Sequence, residues 1–240
     1  MSDKIKLSLL IPAYNEEKII ENTLEKVLKF LSKKKYSWEV IVIDDGSSDQ
    51  TSLKAKKFNK EKVLVVRYEI NRGKGGALKE GVYKSRGDYI IFSDADLSVD
   101  IGKVDEVLNA LKKSDVVIGS RRIQGAKILV HQPILREFMG RGYTHLTKLV
   151  TGVKLADFTC GFKGFKKNAA KYIFKKTLIN RWAYDSEILF LAKKFKYKLT
   201  EIPVEWKNRE DTRVVLKTVI IESLKDLLSI SVNDFLGKYN

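Results

Sequence analysis

Tyr89-Ile90-Ile91-Phe92-Ser93-Asp94-Ala95-Asp96 is the stretch on which the reading of this chain turns. The run Tyr89–Phe92 has the length and composition of a buried strand. Two carboxylates stand where that strand ends. Carboxylates this close repel each other and resist joint ionisation unless a cation is present. Mg2+ and Mn2+ are hard ions that take oxygen ligands and bridge carboxylate to diphosphate. An isolated Asp-X-Asp is more often an acidic turn. Its place at a strand end, beside the loops described next, favours the cation-binding reading.

Working outward, four further short runs rich in Val, Ile and Leu have strand character: Lys6–Ile11, Glu39–Ile43, Val63–Tyr68 and Asp115–Gly119. With Asp88–Ser93 they make five. Helical segments lie between them, at Glu16–Leu31, Thr51–Phe58, Gly75–Ser85 and Ile101–Lys112. In the first of these, Ile20, Leu24, Val27, Leu28 and Leu31 share one face. This alternation predicts an α/β fold with a mostly parallel sheet flanked by helices, in a single domain. Ligands of such sheets bind at the carboxyl ends of the strands.

Three more strand ends carry polar loops. Pro12-Ala13-Tyr14-Asn15-Glu16-Glu17 follows the first strand, where Asn15 also suits a helix N-cap. Asp44-Asp45-Gly46-Ser47-Ser48-Asp49 follows the second, where Asp-Gly suits a turn and Ser47 or Ser48 a cap. Asn71-Arg72-Gly73-Lys74-Gly75-Gly76 follows the third, with glycines that allow close backbone approach to a phosphate. That last loop matches neither GxxxxGK[ST] nor GxGxxG, which excludes a P-loop NTPase and a Rossmann dinucleotide site on motif grounds.

Composition bounds the class. The chain has 240 residues, 44% apolar and 32% charged, as a globular domain does. The single cysteine, Cys160, excludes an internal disulfide framework and a multi-cysteine zinc site. The longest stretch free of charged residues and histidine, Leu7 to Asn15, is too short to span a bilayer. Met1-Ser2-Asp3-Lys4 leads into it without a cleavage-site pattern, so no signal peptide is expected. The net charge is +16, and it is unevenly placed. Residues 1–120 hold 22 basic and 19 acidic side chains, and residues 121–240 hold 24 and 11. Nucleic acid, anionic lipid and phosphorylated substrates all suit the basic half.

Taken together, Ile11-Pro12-Ala13-Tyr14-Asn15-Glu16, Val42 to Asp49, Asn71 to Gly75, Asp94-Ala95-Asp96 and Gly119-Ser120-Arg121 resemble, in order and spacing, the family 2 glycosyltransferases, which have the GT-A fold. The resemblance runs over roughly residues 5–210. It continues through Asp157-Phe158-Thr159-Cys160-Gly161-Phe162-Lys163 and Arg181-Trp182-Ala183-Tyr184-Asp185-Ser186-Glu187, which look like the dolichyl-phosphate β-glucosyltransferase branch, with the mannose synthases as near relatives. It implies a transferase domain over residues 1–212, with a nucleotide-binding half (1–120) and an acceptor-binding half (121–212), followed by an amphipathic helix (213–240). It implies that Pro12, Tyr14, Glu16, Ile43 and Asp45 contact the nucleoside. Lys74 and Arg121 would meet the donor, and Asp94 and Asp96 the metal and diphosphate. Ala95 would pass close to the nucleotide, and Ser98 is a weaker candidate contact. Asp96, Arg121 and Asp185 form the expected catalytic set.

The expected reaction is metal-dependent, inverting transfer of glucose from UDP-glucose to a polyprenyl phosphate. GDP-mannose as donor and a soluble sugar as acceptor remain alternatives. A phosphate acceptor, with a second pKa of about 6, is already ionised near neutral pH and needs cations more than a base. Asp185 therefore serves either as a base or to orient a basic residue such as Arg181, together with Glu187. Lys163, Arg181, Arg209 and Arg213 are the candidates for gripping the acceptor phosphate. Two segments, His131–Val150 and Val214–Val232, suit either interfacial amphipathic helices or core-facing ones. In the second, Leu216, Val219, Ile220, Leu224, Leu227 and Leu228 form the apolar side, with Glu222, Lys225, Asp226 and Ser229 opposite. A cytoplasmic protein held peripherally on an anionic membrane surface is the expectation. A basic nucleic-acid-binding protein is the reading from another class, and strand-end carboxylates argue against it because they would repel a phosphate backbone.

Overall fold

The computed structural model describes residues 4–60, 62–208 and 216–240. In chain order the first elements are β1 (Leu7–Ala13), α1 (Ile20–Leu31), β2 (Trp38–Asp45), α2 (Thr51–Lys56), β3 (Val63–Tyr68), α3 (Lys74–Lys84), β4 (Tyr89–Phe92), α4 (Lys103–Ala110) and β5 (Val116–Ser120). All five expected strands and four expected helices are present. α1 starts later than expected, at Ile20, because Asn15 takes a left-handed conformation (φ 55°) and does not cap it. Its side chain instead accepts the Ser48 N–H at 2.8 Å.

The chain continues with β6 (Lys127–Val130), α5 (Ile134–Thr151), β7 (Lys163–Lys166), α6 (Lys167–Lys176), α7 (Tyr184–Lys194), β8 (Leu199–Pro203), β9 (Glu205–Lys207) and α8 (Leu216–Phe235). Seven strands form one sheet in the order β3-β2-β1-β4-β7-β5-β8, and β6 pairs with β9 apart from it. Six of the seven run parallel, while β7 lies antiparallel between β4 and β5. The expected halves at residue 120 are therefore interlocked, since β7 of the second half joins two strands of the first.

Strand side chains alternate between two faces. Leu7, Leu9, Ile11, Val40, Val42 and Ile91 pack under α1 and α4. Leu10, Ile41, Ile43, Ile90 and Phe92 pack with α3, α6 and α7 on the other face. Leu227, Ile230 and Tyr239 belong to that second core, so α8 and the residues after it pack onto the same domain. The expected apolar side of α8 is split: Leu227 is buried, whereas Leu228 is 57% exposed. Its expected polar side, at Glu222 and Asp226, faces the loop carrying Trp182. In α5, Tyr143, Leu146 and Val150 pack on the core, while Phe138 and Leu149 face outward.

Phe92, at the end of β4, holds the position of the carboxylate loop that follows. Its ring meets Phe165 at 5.0 Å and the edge of Phe174 at 5.5 Å. Phe174→Ala would open a cavity in this cluster, and we expect unfolding free energy in a urea titration to fall by about 3–5 kcal/mol.

Candidate active site

The four strand-end loops converge on one cleft, of about 1900 Å³, at the carboxyl edge of the sheet. They are tied to one another by side chains reaching between loops. Ser47 Oγ accepts the Asn15 N–H at 2.9 Å, and Thr51 Oγ1 accepts the Glu16 N–H at 2.7 Å. Neither Ser47 nor Ser48 caps α2, which begins at Thr51 without a side-chain cap. The two oxygens of Asp45 accept the N–H groups of Arg72 and Gly73, each at 2.8 Å. Asp45 thus faces the cleft with its carboxylate already engaged by backbone. Burial raises its pKa, against those two hydrogen bonds.

Asp94 and Asp96 lie on the cleft floor with Ala95 between them. Asp94 is bonded to the Lys74 ammonium from the start of α3. Burial alone would raise the Asp94 carboxyl, but the Lys74 charge outweighs it and brings it below the usual range. The same pair, against the cost of burial, holds Lys74 well above its ordinary value. A Cβ at Gly161 would sit 2.1 Å from Asp94 Oδ2, so only glycine admits the carboxylate there. Asp96 Oδ1 accepts the Ser98 N–H at 2.9 Å. Among the described residues no third acidic or histidine side chain joins them to complete a metal cage. Asp94 and Asp96, two part-exposed carboxylates on one cleft floor, supply the oxygen ligands that would suit a hard divalent ion.

Arg121, at the end of β5, lines the same cleft. Its guanidinium is held from one side by Asp157, with Nε to Oδ2 at 2.7 Å and Nη2 to Oδ1 at 2.8 Å. Asp157 is itself fixed by Glu201, whose two oxygens accept the N–H groups of Ala156 and Asp157. Burial would raise the Asp157 carboxyl, but hydrogen bonds and charge from Arg121 bring it down to about 2. Burial also pushes the nearby Cys160 thiol up to about 11, which leaves it protonated and inert.

Pro12, Tyr14, Glu16, Asp45, Lys74, Asp94, Ala95, Asp96, Arg121, Arg181 and Asp185 all line the cleft, as expected from the sequence. Ile43, Lys163 and the weaker candidate Ser98 do not. Ile43 is fully buried against α3, because it falls on the core face of β2. Lys163 is 1% exposed, and its ammonium bonds Asp185 Oδ1 and the Cys160 carbonyl, both at 2.5 Å. It holds Asp185 from behind instead of reaching a ligand. Arg209 and Arg213 lie outside the described residues. Glu187 does not orient Arg181; it takes the N–H groups of Leu178 and Ile179.

The sequence reading missed Arg122, Arg136, Arg141 and Trp206, which also line the cleft. The signal for Arg136 and Arg141 lies in α5, where they stand among apolar residues; Arg122 stands beside the matched Gly119-Ser120-Arg121. Asp157 stood in a matched segment but was given no role; a buried arginine needs an anion, and Asp157 is that anion.

The family model "Glycosyl transferase family 2" matches residues 8–174. The dolichyl-phosphate beta-glucosyltransferase of Dictyostelium discoideum is 34% identical over 253 residues, covering 98% of this chain and 76% of the relative. The enzyme of that name from Homo sapiens is 34% identical over 250 residues, covering 98% and 77%. Among solved structures, glucosyl-3-phosphoglycerate synthase from Mycobacterium tuberculosis in complex with uridine-diphosphate superposes with a TM-score of 0.66 at 20% identity, covering 95% of this chain and 80% of that one. Mannosyl-3-phosphoglycerate synthase from Rubrobacter xylanophilus gives a TM-score of 0.67 at 17% identity, covering 94% and 74%. At these identities the last two establish the shared fold.

The Arg121–Asp157 pair generates a pH prediction. Asp157 is held at about 2 when folded against an ordinary 3.8, so its stabilisation is complete above 3.8 and is lost as pH falls toward 2. That shift corresponds to about 2 kcal/mol. In acid denaturation, Asp157→Asn should be less stable than the wild type at neutral pH and should lose less stability across that window.

Proposed function

The chain belongs to glycosyl transferase family 2 and is a glycosyltransferase; from that premise we propose that it moves glucose from UDP-glucose to a polyprenyl phosphate, with inversion. The observation that carries the proposal is one cleft lined by both kinds of group the reaction needs. Asp94 and Asp96 stand on its floor, and Arg121, Arg122, Arg136, Arg141 and Arg181 stand around it. The names of the curated relatives support glucose as the sugar and dolichyl phosphate as the acceptor class.

In this reading the nucleoside lies along Pro12, Tyr14, Glu16 and Asp45, and the diphosphate extends toward Asp94 and Asp96. Mg2+ or Mn2+ held by Asp94 and Asp96 would supply charge stabilisation for the departing diphosphate. Arg121, fixed by Asp157, keeps its guanidinium at the donor without having to be ordered during the reaction. The acceptor phosphate is an anionic nucleophile that Arg122, Arg136, Arg141 and Arg181 orient for attack at the sugar carbon. Asp185 pairs with Lys163, and its role is to shape the cleft floor, since no proton must be removed from an ionised phosphate.

The acceptor's lipid tail calls for a membrane. Among the described residues no helix is long and apolar enough to cross one. Peripheral contact with a membrane surface is supported by an exposed apolar stripe on α8, made by Ile221, Leu228, Val232 and Phe235. These positions recur at helical spacing. Phe138 and Leu149 are exposed on α5, which packs against α8.

Two experiments test this. With purified protein, Mn2+ and a polyprenyl phosphate, UDP-glucose should be turned over in preference to GDP-mannose. Asp96→Asn should lower turnover by about 100-fold or more, as loss of major transition-state charge stabilisation does. Near wild-type turnover in that variant, or full activity in excess chelator, rejects the metal role. For the membrane, Phe235→Asp with Leu228→Asp should reduce co-sedimentation with anionic vesicles, and salt should weaken wild-type binding. Wild-type protein that stays in the supernatant at low salt while glycosylating a soluble acceptor rejects the lipid reading.

A further inference from the structure

Beneath the loop that carries Arg181 and Trp182 lies a buried polar pair that is not part of the cleft lining. Glu187, in the first turn of α7, has no exposed surface, and neither has Tyr239, beyond the end of α8. Glu187 Oε1 accepts the Tyr239 hydroxyl at 2.7 Å and the Leu178 N–H at 2.9 Å. Its Oε2 accepts the Ile179 N–H at 3.0 Å. The Tyr239 ring lies 5.9 Å from that of Phe190, so ring and hydroxyl have separate anchors.

Leu178 and Ile179 begin the connection from α6 to α7, and the next residue meets the donor side. The Asn180 carbonyl accepts the Gly76 N–H at 3.2 Å. A Cβ at Gly73 would lie 2.6 Å from that same carbonyl oxygen, and Gly73 has φ of 89°. The contact is backbone against backbone, and the glycine loop cannot move toward Asn180 or replace it with a side chain. Lys74, the partner of Asp94, follows Gly73 directly as the first residue of α3. Arg181 follows Asn180 directly and lines the cleft.

We propose that Glu187 and Tyr239 are positioning residues of the transferase: by fixing Leu178 and Ile179 they set the seat of Asn180, and through it the places of Arg181 and of the glycine loop that leads into Lys74. The physical reason is the loss of one of three charge-assisted bonds on a buried carboxylate. Without the Tyr239 hydroxyl, Glu187 is held only by the two loop amides, and its grip on Leu178 and Ile179 loosens. The pair touches no substrate and acts only through the loop. The proposal rests on the donor reading above for one of its two readouts.

Tyr239→Phe keeps the ring and removes the hydroxyl, and Glu187→Gln, which cannot accept at all three donors, is read in the same way. Amide hydrogen exchange is followed at Leu178, Ile179 and Gly76, with β1 and β2 amides as internal reference. UDP binding is measured by calorimetry with Mn2+, and KM for donor and for acceptor by initial rates. We expect exchange at the three amides to rise by about 5-fold, the size of one lost hydrogen bond, with the reference amides unchanged. UDP binding and donor KM should weaken by a similar factor through the glycine loop, and acceptor KM should rise with them, because Arg181 follows Asn180 directly. Unchanged exchange at those amides in both folded variants overturns the proposal, as does a rise shared equally by β1 and β2, which would mark a general loss of stability. If wild-type protein does not bind UDP, the donor reading fails, and the exchange comparison still decides the role of Glu187 and Tyr239.

Discussion

Three carboxylates that each accept two consecutive backbone N–H groups hold the rim of the cleft. Asp45 takes those of Arg72 and Gly73, Glu201 those of Ala156 and Asp157, and Glu187 those of Leu178 and Ile179. Loops past the strand ends have no sheet ladder to satisfy their amides, and a buried amide left alone is costly. A carboxylate solves this with charge-assisted bonds, each contributing about 1.5–3 kcal/mol. It also fixes two adjacent peptide planes at once. The loops therefore hold their shape without a ligand, which leaves the binding energy of the donor free for the reaction.

The charges inside the cleft follow a second pattern. Lys74 sits on Asp94, Arg121 on Asp157 and Lys163 on Asp185. Each pair neutralises charge in a partly buried region, where a single unpartnered ion is expensive. The pairs differ in exposure, and this separates their functions. Lys163 is sealed in and holds a wall. The Lys74 and Asp94 side chains are about one-third exposed, so an incoming diphosphate and divalent ion can compete for both members. Arg121 is nearly enclosed, so it keeps its geometry whatever occupies the cleft.

Most of the first half was legible in the sequence because each strand there is a continuous apolar run, and each run ends in a loop of distinctive polar residues. The errors arose where one residue type serves two ends. Asn15 suits a helix cap, yet it adopts φ of 55° and bonds the next loop. Lys163 suits a phosphate grip, but β7 turns it inward onto Asp185. Ile43 shares a face of β2 with Asp45, two residues on, but it stands further back along the strand, where α3 covers it. In α8 the apolar residues exceed what one face can bury, so spacing alone could not separate Leu227 from Leu228. The antiparallel placement of β7 was not legible at all, because it depends on pairing across more than seventy residues to Tyr89–Phe92.

That placement of β7 bears on how the chain is made. β5 has no hydrogen bonds to β4; both wait for Lys163–Lys166 to fill the space between them, and β5 waits further for Leu199–Pro203. While the ribosome is still adding residues 121–162, the nascent chain carries Tyr89–Phe92 with one edge unpaired and Val116–Ser120 with two. Both are apolar and uncharged, with backbone groups that no neighbouring strand yet satisfies. A sheet completed from its middle, late in synthesis, has high contact order and folds slowly. The insertion that brings the second half of the molecule to the nucleotide side thus leaves the sheet open at its middle until that strand arrives.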